Sequence, residues 1–219
     1  SQLPELKYGG HYRALPYDYS TLGIYYNKKL FDEAGVAYPT GDWIWDDMLE
    51  IAKKLSKDDA KGRRIQWGLA LVPNSGYLQW VEGFIMTEGG KLFNDDYTKC
   101  LIDSPETVAI IEKWSEFVTE YRVVPKPGEV GQENPYFTGR AAMTIDGSWA
   151  TMVHRRLSGF PFDCAMLPKG KDGKRVVSAT GGSWAIASNE KHIEEAWKFV
   201  KYLTGVEATR ILIVEPIRS

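Results

Sequence analysis

The chain is predicted to fold as an α/β sandwich, on three observations. Short runs rich in β-branched and aromatic residues alternate with stripes of helical period. Pro, Gly and Ser punctuate nearly every junction between them. Hydrophobic residues make up 43% of the 219 positions, enough for a substantial core.

Leu22–Asn27 (LGIYYN) reads as a buried strand after the turn-rich ALPYDYST. KKLFDEAGV follows as a short helix with Leu30, Phe31 and Ala34 on one stripe and Gly35 closing it. The next helix carries Met48, Leu49, Ala52 and Leu55 inward, with Asp46 and Asp47 at the positive end of its dipole. Arg64–Val72 is predicted as a strand ended by PNSG, and residues 77–87 as a helix stopped by Gly89 and Gly90. CLID reads as a short strand before Ser104-Pro105, an N-cap followed by Pro at the first helical position. That helix presents Val108, Ile111, Trp114, Phe117, Val118 and Tyr121. VVPKPGEVGQENP is a loop, PYFTGR a short helix or turn, AAMTI a strand, and FDCAMLP a strand stopped by Pro168. KGKDGKR is expected as a solvated hairpin turn into VVSATGGSWAIA, two half-strands broken at Thr180, Gly181 and Gly182. A well-capped helix over NEKHIEEAWKFVKYLTG, with Ile193, Ala196, Trp197, Val200 and Leu203 inward, ends at Gly205.

Lys and Arg number 27 against 29 Asp and Glu, so a net charge of −2 gives no broad attraction to nucleic acid or anionic lipid. No apolar run approaches the roughly 20 residues that span a bilayer. His11, His154 and His192 lack ligand spacing, so no metal is expected, and no phosphate loop or nucleophile elbow points to a cofactor or a catalytic residue. Cys100 and Cys164 fit no redox motif and read either as two buried or free thiols or as one disulfide. Glu82, Glu88, Asp18 and Asp146 are the carboxylates that a glycosidase-type pair would draw on; the plainer reading puts Asp146 in a turn and Glu82 in water.

Aromatic residues form 13% of the chain, and such rings serve either cores or stacking sites. RAAMTIDGSWA runs an apolar strand into a polar Asp-Gly-Ser turn and then presents Trp149, as core or as platform. Similar clusters stand at other element ends: Tyr17, Tyr19 and Ser20; Tyr77 and Trp80; Gly182 and Ser183 followed by Trp184. Such ends gather around clefts. Gly181 and Gly182 mark either a hinge or a β-bulge.

ALPYDYSTLGIYYNKKLFDEAGVAYPTGDWIWDDMLEIAKKL resembles the "YNK-LF-AG" and "P-TW-E-AKKL" region of extracellular solute-binding proteins of ABC sugar importers. FTGRAAMTIDGSWA is similar to that family's "F-GKAAM-I-G-W", and SATGGSWAIASNEKHIEEAWKFVKYLTG to its "GG-AI-S-K-EAWKF-KYLT". The resemblance implies a periplasmic-binding-protein-like α/β lobe, a mixed sheet flanked by helices in type II topology, with the first lobe largely missing. It implies a hinge approach and first-lobe remnant at residues 1–16, the second lobe at 17–184 and an incomplete return segment at 185–219.

The implied function is the extracytoplasmic sugar-binding component of an ABC importer, not an enzyme, that closes on a mono- or oligosaccharide and delivers it to a membrane permease. Ligand contacts would come from Tyr19, Ser20, Tyr77, Trp80, Trp149, Gly182 and Ser183, and the hinge from Pro16, Tyr17, Asp18 and Gly181. The implied protein is a periplasmic or extracellular monomer, with or without a lipid anchor, that needs no cofactor, metal or nucleic acid. A carbohydrate-active hydrolase and a sensory module are the competing readings.

Overall fold

The computed structural model describes residues 6–71, 77–131 and 133–211, with the backbone alone for 77–80. The strands are β1 (Lys7–Tyr8), β2 (His11–Tyr12), β3 (Leu15–Pro16), β4 (Ser20–Asn27), β5 (Lys57–Asp58), β6 (Arg64–Ala70), β7 (Ala141–Gly147), β8 (Phe162–Ala165), β9 (Ala179–Thr180) and β10 (Ser183–Trp184). The helices are α1 (Lys28–Ala34), α2 (Trp45–Leu55), α3 (Tyr77–Thr87), α4 (Pro105–Thr119), α5 (Thr151–Leu157), α6 (Ile193–Leu203) and α7 (Val206–Thr209). A single 3-10 turn over Ser148–Ala150 joins β7 to α5. The chain divides into two compact units, Leu22–Ser178 and a smaller one of Ser1–Thr21 with Ala179–Ser219. Residues 17–21 and 179–184 therefore group with the smaller unit.

The larger unit is built on a mixed sheet in the order β5-β6-β7-β4-β8. β6 runs parallel to β7, whereas β4 pairs antiparallel with both β7 and β8. Every residue of β7 is buried, as expected of a strand covered on both faces. On one side Ile24, Tyr26, Met143, Ile145 and Leu69 pack with Phe31, Met48, Leu55, Phe84, Trp114 and Phe117. A second cluster gathers Tyr25, Trp67, Ala70, Tyr136 and Ala141.

The helix ends follow their local chemistry. The Asn27 side chain accepts from Leu30 N–H at 3.3 Å, and Gly35 closes α1 at φ 63°, in the left-handed region that glycine enters without cost. Ser104 Oγ accepts from Thr107 N–H, with Pro105 at the first helical position of α4. Asp47 accepts from Ile44 N–H at 2.9 Å at the start of α2. At its other end Ser56 donates to Ala52 O and accepts from Gly68 N–H, and Gln66 donates to Leu55 O. Helix and strand touch so closely there that a Cβ on Gly68 would lie 2.1 Å from Ala52 O.

Several predicted elements come out differently. CLID is no strand: Cys100 makes one isolated bridge to Phe93, and the chain turns at once towards the Ser104 cap. The KGKDGKR turn exists, closed by Gly170 N–H to Lys174 O, but no strand runs through residues 176–178 after it, and the half-strands shrink to β9 and β10. On α6, Val200 is buried, whereas Ile193 and Trp197 are exposed, because the described part of the smaller unit offers few elements to cover them. His192 at its N-cap makes no side-chain bond, so the expected cap is absent. Both cysteines are free and largely exposed.

Candidate functional site

In the larger unit the site grows from the end of β7. The sequence places a polar turn at Asp146-Gly147-Ser148, but the strand continues through Gly147, which is extended (φ −86°, ψ 159°) and pairs with Leu22. Asp146 is buried, not a turn residue in water. The reason is pairing: β4 continues alongside β7 past Ile145, with Gly23 opposite Asp146 and Leu22 opposite Gly147, so the strand is held in the ladder on that side.

Immediately beyond, the 3-10 turn presents Trp149 with 47% of its surface exposed. Its ring lies across Gly147, where a Cβ would come within 2.2 Å of ring carbons Cη2 and Cζ3. Glycine is needed there for close approach of the ring. The contrast with Trp43, Trp45, Trp67 and Trp114, all buried, answers the question raised by the aromatic content: most tryptophans of this unit are core, and Trp149 is not.

Beneath the turn lies a set of residues that sequence reasoning missed. Asp146 Oδ1 accepts from Gly147 N–H at 2.8 Å, and Oδ2 lies 3.1 Å from Nε2 of the fully buried His154 on α5. The His154 imidazole stacks on the Tyr25 ring at 3.8 Å between centroids and 4° between planes. Tyr25 Oη reaches Thr151 Oγ1 at 2.7 Å and Gly147 O at 3.3 Å. Tyr136, Phe137 and Phe162 enclose the imidazole. Burial pushes the phenols of Tyr25 and Tyr136 above their ordinary range, so both remain protonated. The only signal in the sequence was the Asp-Gly-Ser-Trp run with a histidine further on; strand-to-helix geometry, not spacing, joins them.

In the smaller unit, β3 pairs with β10 and the start of β4 pairs with β9. Between Pro16↔Ser183 and Ser20↔Thr180 lie Tyr17, Asp18 and Tyr19 on one strand but only Gly181 and Gly182 on the other, so the ladder contains a bulge. Tyr17 N–H donates to Gly182 O, and Gly182 N–H donates to the Asp18 carboxylate. Gly182 is not in the left-handed region; it is small because the Tyr17 ring lies 2.2 Å from where its Cβ would be. Tyr17 also packs near Trp184, at 5.1 Å. Tyr19 and Ser183 are exposed, whereas Ser20 is buried in the ladder. Pro16, Tyr17, Asp18, Tyr19, Ser20, Gly181, Gly182 and Ser183 thus stand together on one paired crossing. The side chains of Tyr77 and Trp80 lie outside the described residues.

Three of the four candidate carboxylates are engaged, Asp146 with His154, Asp18 with Gly182 N–H, and Glu88 with Lys113 at 3.3 Å, while Glu82, expected in water, is half-buried. Among the described residues no group of His, Cys, Asp and Glu is placed to hold a metal, and no helix is long and apolar enough to cross a membrane.

A mixed α/β sheet ending in a glycine-backed exposed tryptophan defines a lobe of the periplasmic-binding-protein kind. Residues 2–210 match the family described as bacterial extracellular solute-binding protein, and the chain belongs to that family. It is 27% identical over 203 residues to the maltotriose-binding protein of Pyrococcus abyssi, covering 91% of this chain and 41% of that protein. To the arabinooligosaccharide-binding protein of Halalkalibacterium halodurans it is 24% identical, covering 88% and 43%. Among solved structures, an ABC substrate-binding protein of Listeria monocytogenes in complex with cycloalternan superposes with a TM-score of 0.81 at 28% identity, over 94% of this chain and 52% of that one. A solute-binding protein of Thermotoga lettingae bound with α-D-tagatose gives 0.78 at 26%, over 97% and 55%. The chain spans about half the length of these relatives, or somewhat less.

Proposed function

We propose that the chain is part of an extracytoplasmic, non-enzymatic carbohydrate-binding component of an ABC importer, which captures a mono- or oligosaccharide and hands it to a membrane permease. The observation that carries this reading is Trp149, a half-exposed ring lying against Gly147 at the end of a fully buried strand. The apolar face of a pyranose packs on such a ring, while polar groups bond its hydroxyls. Family membership supports the transport role, and the relatives named for maltotriose and arabinooligosaccharide support the ligand class.

Residues 17–184 act in this reading as the second lobe, flanked by first-lobe segments. Tyr19, Ser20, Gly182 and Ser183 add contacts from the paired crossing, with Tyr77 and Trp80 as further contacts suggested by the sequence. Pro16, Tyr17, Asp18 and Gly181 form the hinge; the bulge between them gives the crossing a register irregularity at which backbone angles can change. The protein acts as a monomer outside the cytoplasm.

The test is a panel of maltotriose, arabinooligosaccharides and tagatose, read by thermal shift and calorimetry. A bound sugar raises the melting temperature without turnover. Trp149→Ala weakens the best binder by about 1–3 kcal/mol, the loss of an aromatic anchor. Release of reducing ends, or an unchanged dissociation constant in Trp149→Ala, would overturn the reading.

A further inference from the structure

We propose that Asp146, His154 and Tyr25 form a buried latch that positions Trp149 and so sets the geometry of the sugar-stacking surface; this rests on the carbohydrate reading above. The argument starts from what a buried carboxylate requires. Asp146 is shielded from water, and an uncompensated charge there is costly. Both of its oxygens are engaged, Oδ1 by Gly147 N–H and Oδ2 by His154 Nε2. The first bond fixes the glycine on which the Trp149 ring lies, and the second pins α5, which begins two residues after Trp149.

Among the described residues Nδ1 of His154 has no hydrogen-bond partner, so Asp146 supplies the polar contact that orients the ring. The stack on Tyr25 fixes its plane. Tyr25 then works from the opposite side. Thr151 Oγ1 donates to Ser148 O at 2.9 Å, which leaves its lone pairs to accept from the Tyr25 hydroxyl at 2.7 Å, while Gly147 O lies within 3.3 Å of the same hydroxyl. The segment is therefore tied at Gly147 on its N–H, at Ser148 through Thr151 and the Tyr25 hydroxyl, and at His154 through Asp146. Trp149 stands inside that closed ring of bonds. A stacking residue is useful only when its ring is held in place before the ligand arrives, because ordering it on binding costs affinity. Asp146, His154 and Tyr25 are positioning residues on this account; they act through the segment that bears Trp149.

Fluorine NMR of the fluorotryptophan-labelled protein tests this, with Trp149→Phe identifying the Trp149 signal. His154→Phe keeps a ring against Tyr25 but cannot bond Asp146, and Tyr25→Phe keeps the ring but loses the hydroxyl. Each is expected to shift or broaden the Trp149 signal while the signals of the buried tryptophans hold, and to raise the maltotriose dissociation constant about tenfold. Asp146→Ala does the same, and Asp146→Asn recovers only part of the loss, because the amide oxygen still accepts from Gly147 N–H but its nitrogen can donate to Nε2 only if the imidazole proton moves to the unpartnered Nδ1. If His154→Phe does not fold, Tyr25→Phe decides. An unmoved Trp149 signal with unchanged affinity in Tyr25→Phe overturns the proposal. A wild-type protein that binds no sugar removes the carbohydrate reading alone, since the signal still reports whether the latch holds the ring.

Discussion

The ring of Trp149 rests on the backbone of Gly147, with Cη2 and Cζ3 2.2 Å from where a β-carbon would stand. The contact is between a side-chain tip and a missing methyl, so the ring can yield where a backbone could not. Gly147→Ala is expected to fold with a loss of about 1 kcal/mol or less, because Trp149 is half exposed and able to swing away. Sugar affinity is expected to fall about tenfold as the platform tilts. Calorimetry beside thermal melting checks the split, and retained affinity would show that the ring's tilt does not matter.

Gly68 is the opposite case. Its missing Cβ faces Ala52 O at 2.1 Å and Ala52 Cα at 2.4 Å, both backbone atoms of α2. Gly68→Ala must push helix from sheet and break the Ser56 and Gln66 bonds that tie them. Overpacking of this kind costs about 3 kcal/mol. Denaturant unfolding measures it, and a variant as stable as wild type would mean that α2 is not seated as described.

Cys164 offers a pH-dependent prediction. Part of the residue is exposed, but Sγ packs over Gly23, where a Cβ would sit 2.8 Å away. Burial, and secondarily the neighbouring Asp163, push its thiol up to about 11. The thiolate is the reactive form, so alkylation at neutral pH should be slower than that of a small free thiol and should keep climbing towards pH 11. A rate that levels off near pH 9 would contradict this.

Acid should weaken the charged cluster on α2. The Lys171 ammonium, bonded at 2.9 Å, holds the Asp46 carboxyl below its ordinary value against the opposing effect of burial, and Lys113 adds to the lowering. A carboxyl lowered by folding stabilises above its unfolded value, 3.8, and loses that contribution as pH falls through the folded one. The difference in melting temperature between wild type and Asp46→Asn should therefore shrink below about pH 4, and in high salt, since the pair is about half exposed. A constant difference would place the effect outside this ion pair.

Much of the fold was legible because local and tertiary preferences agree. Gly35 closes α1, Ser104-Pro105 starts α4, and the uninterrupted AAMTI is buried as its apolar run requires. The errors fall where pairing partners decide. Among the described residues CLID has no neighbouring strand and α6 no element over Ile193 and Trp197, while Asp146 is drawn into the ladder that its turn-forming chemistry argues against. Trp149 was legible as a candidate from its place after Gly147; His154 and Tyr25 were not, because Tyr25 reaches the turn from a strand far away in the chain.

The burial of Trp43, Trp45, Trp67 and Trp114 has an optical consequence. Trp45 and Trp114 lie edge to face at 5.9 Å in the same core as Trp43, while Trp67 is enclosed in the second cluster. Their emission will be blue and will dominate the spectrum, and excitation will pass among rings so close. A sugar settling on Trp149 will perturb only a minor, redder part of that light, so a nearly silent intrinsic-fluorescence titration would be no evidence against binding.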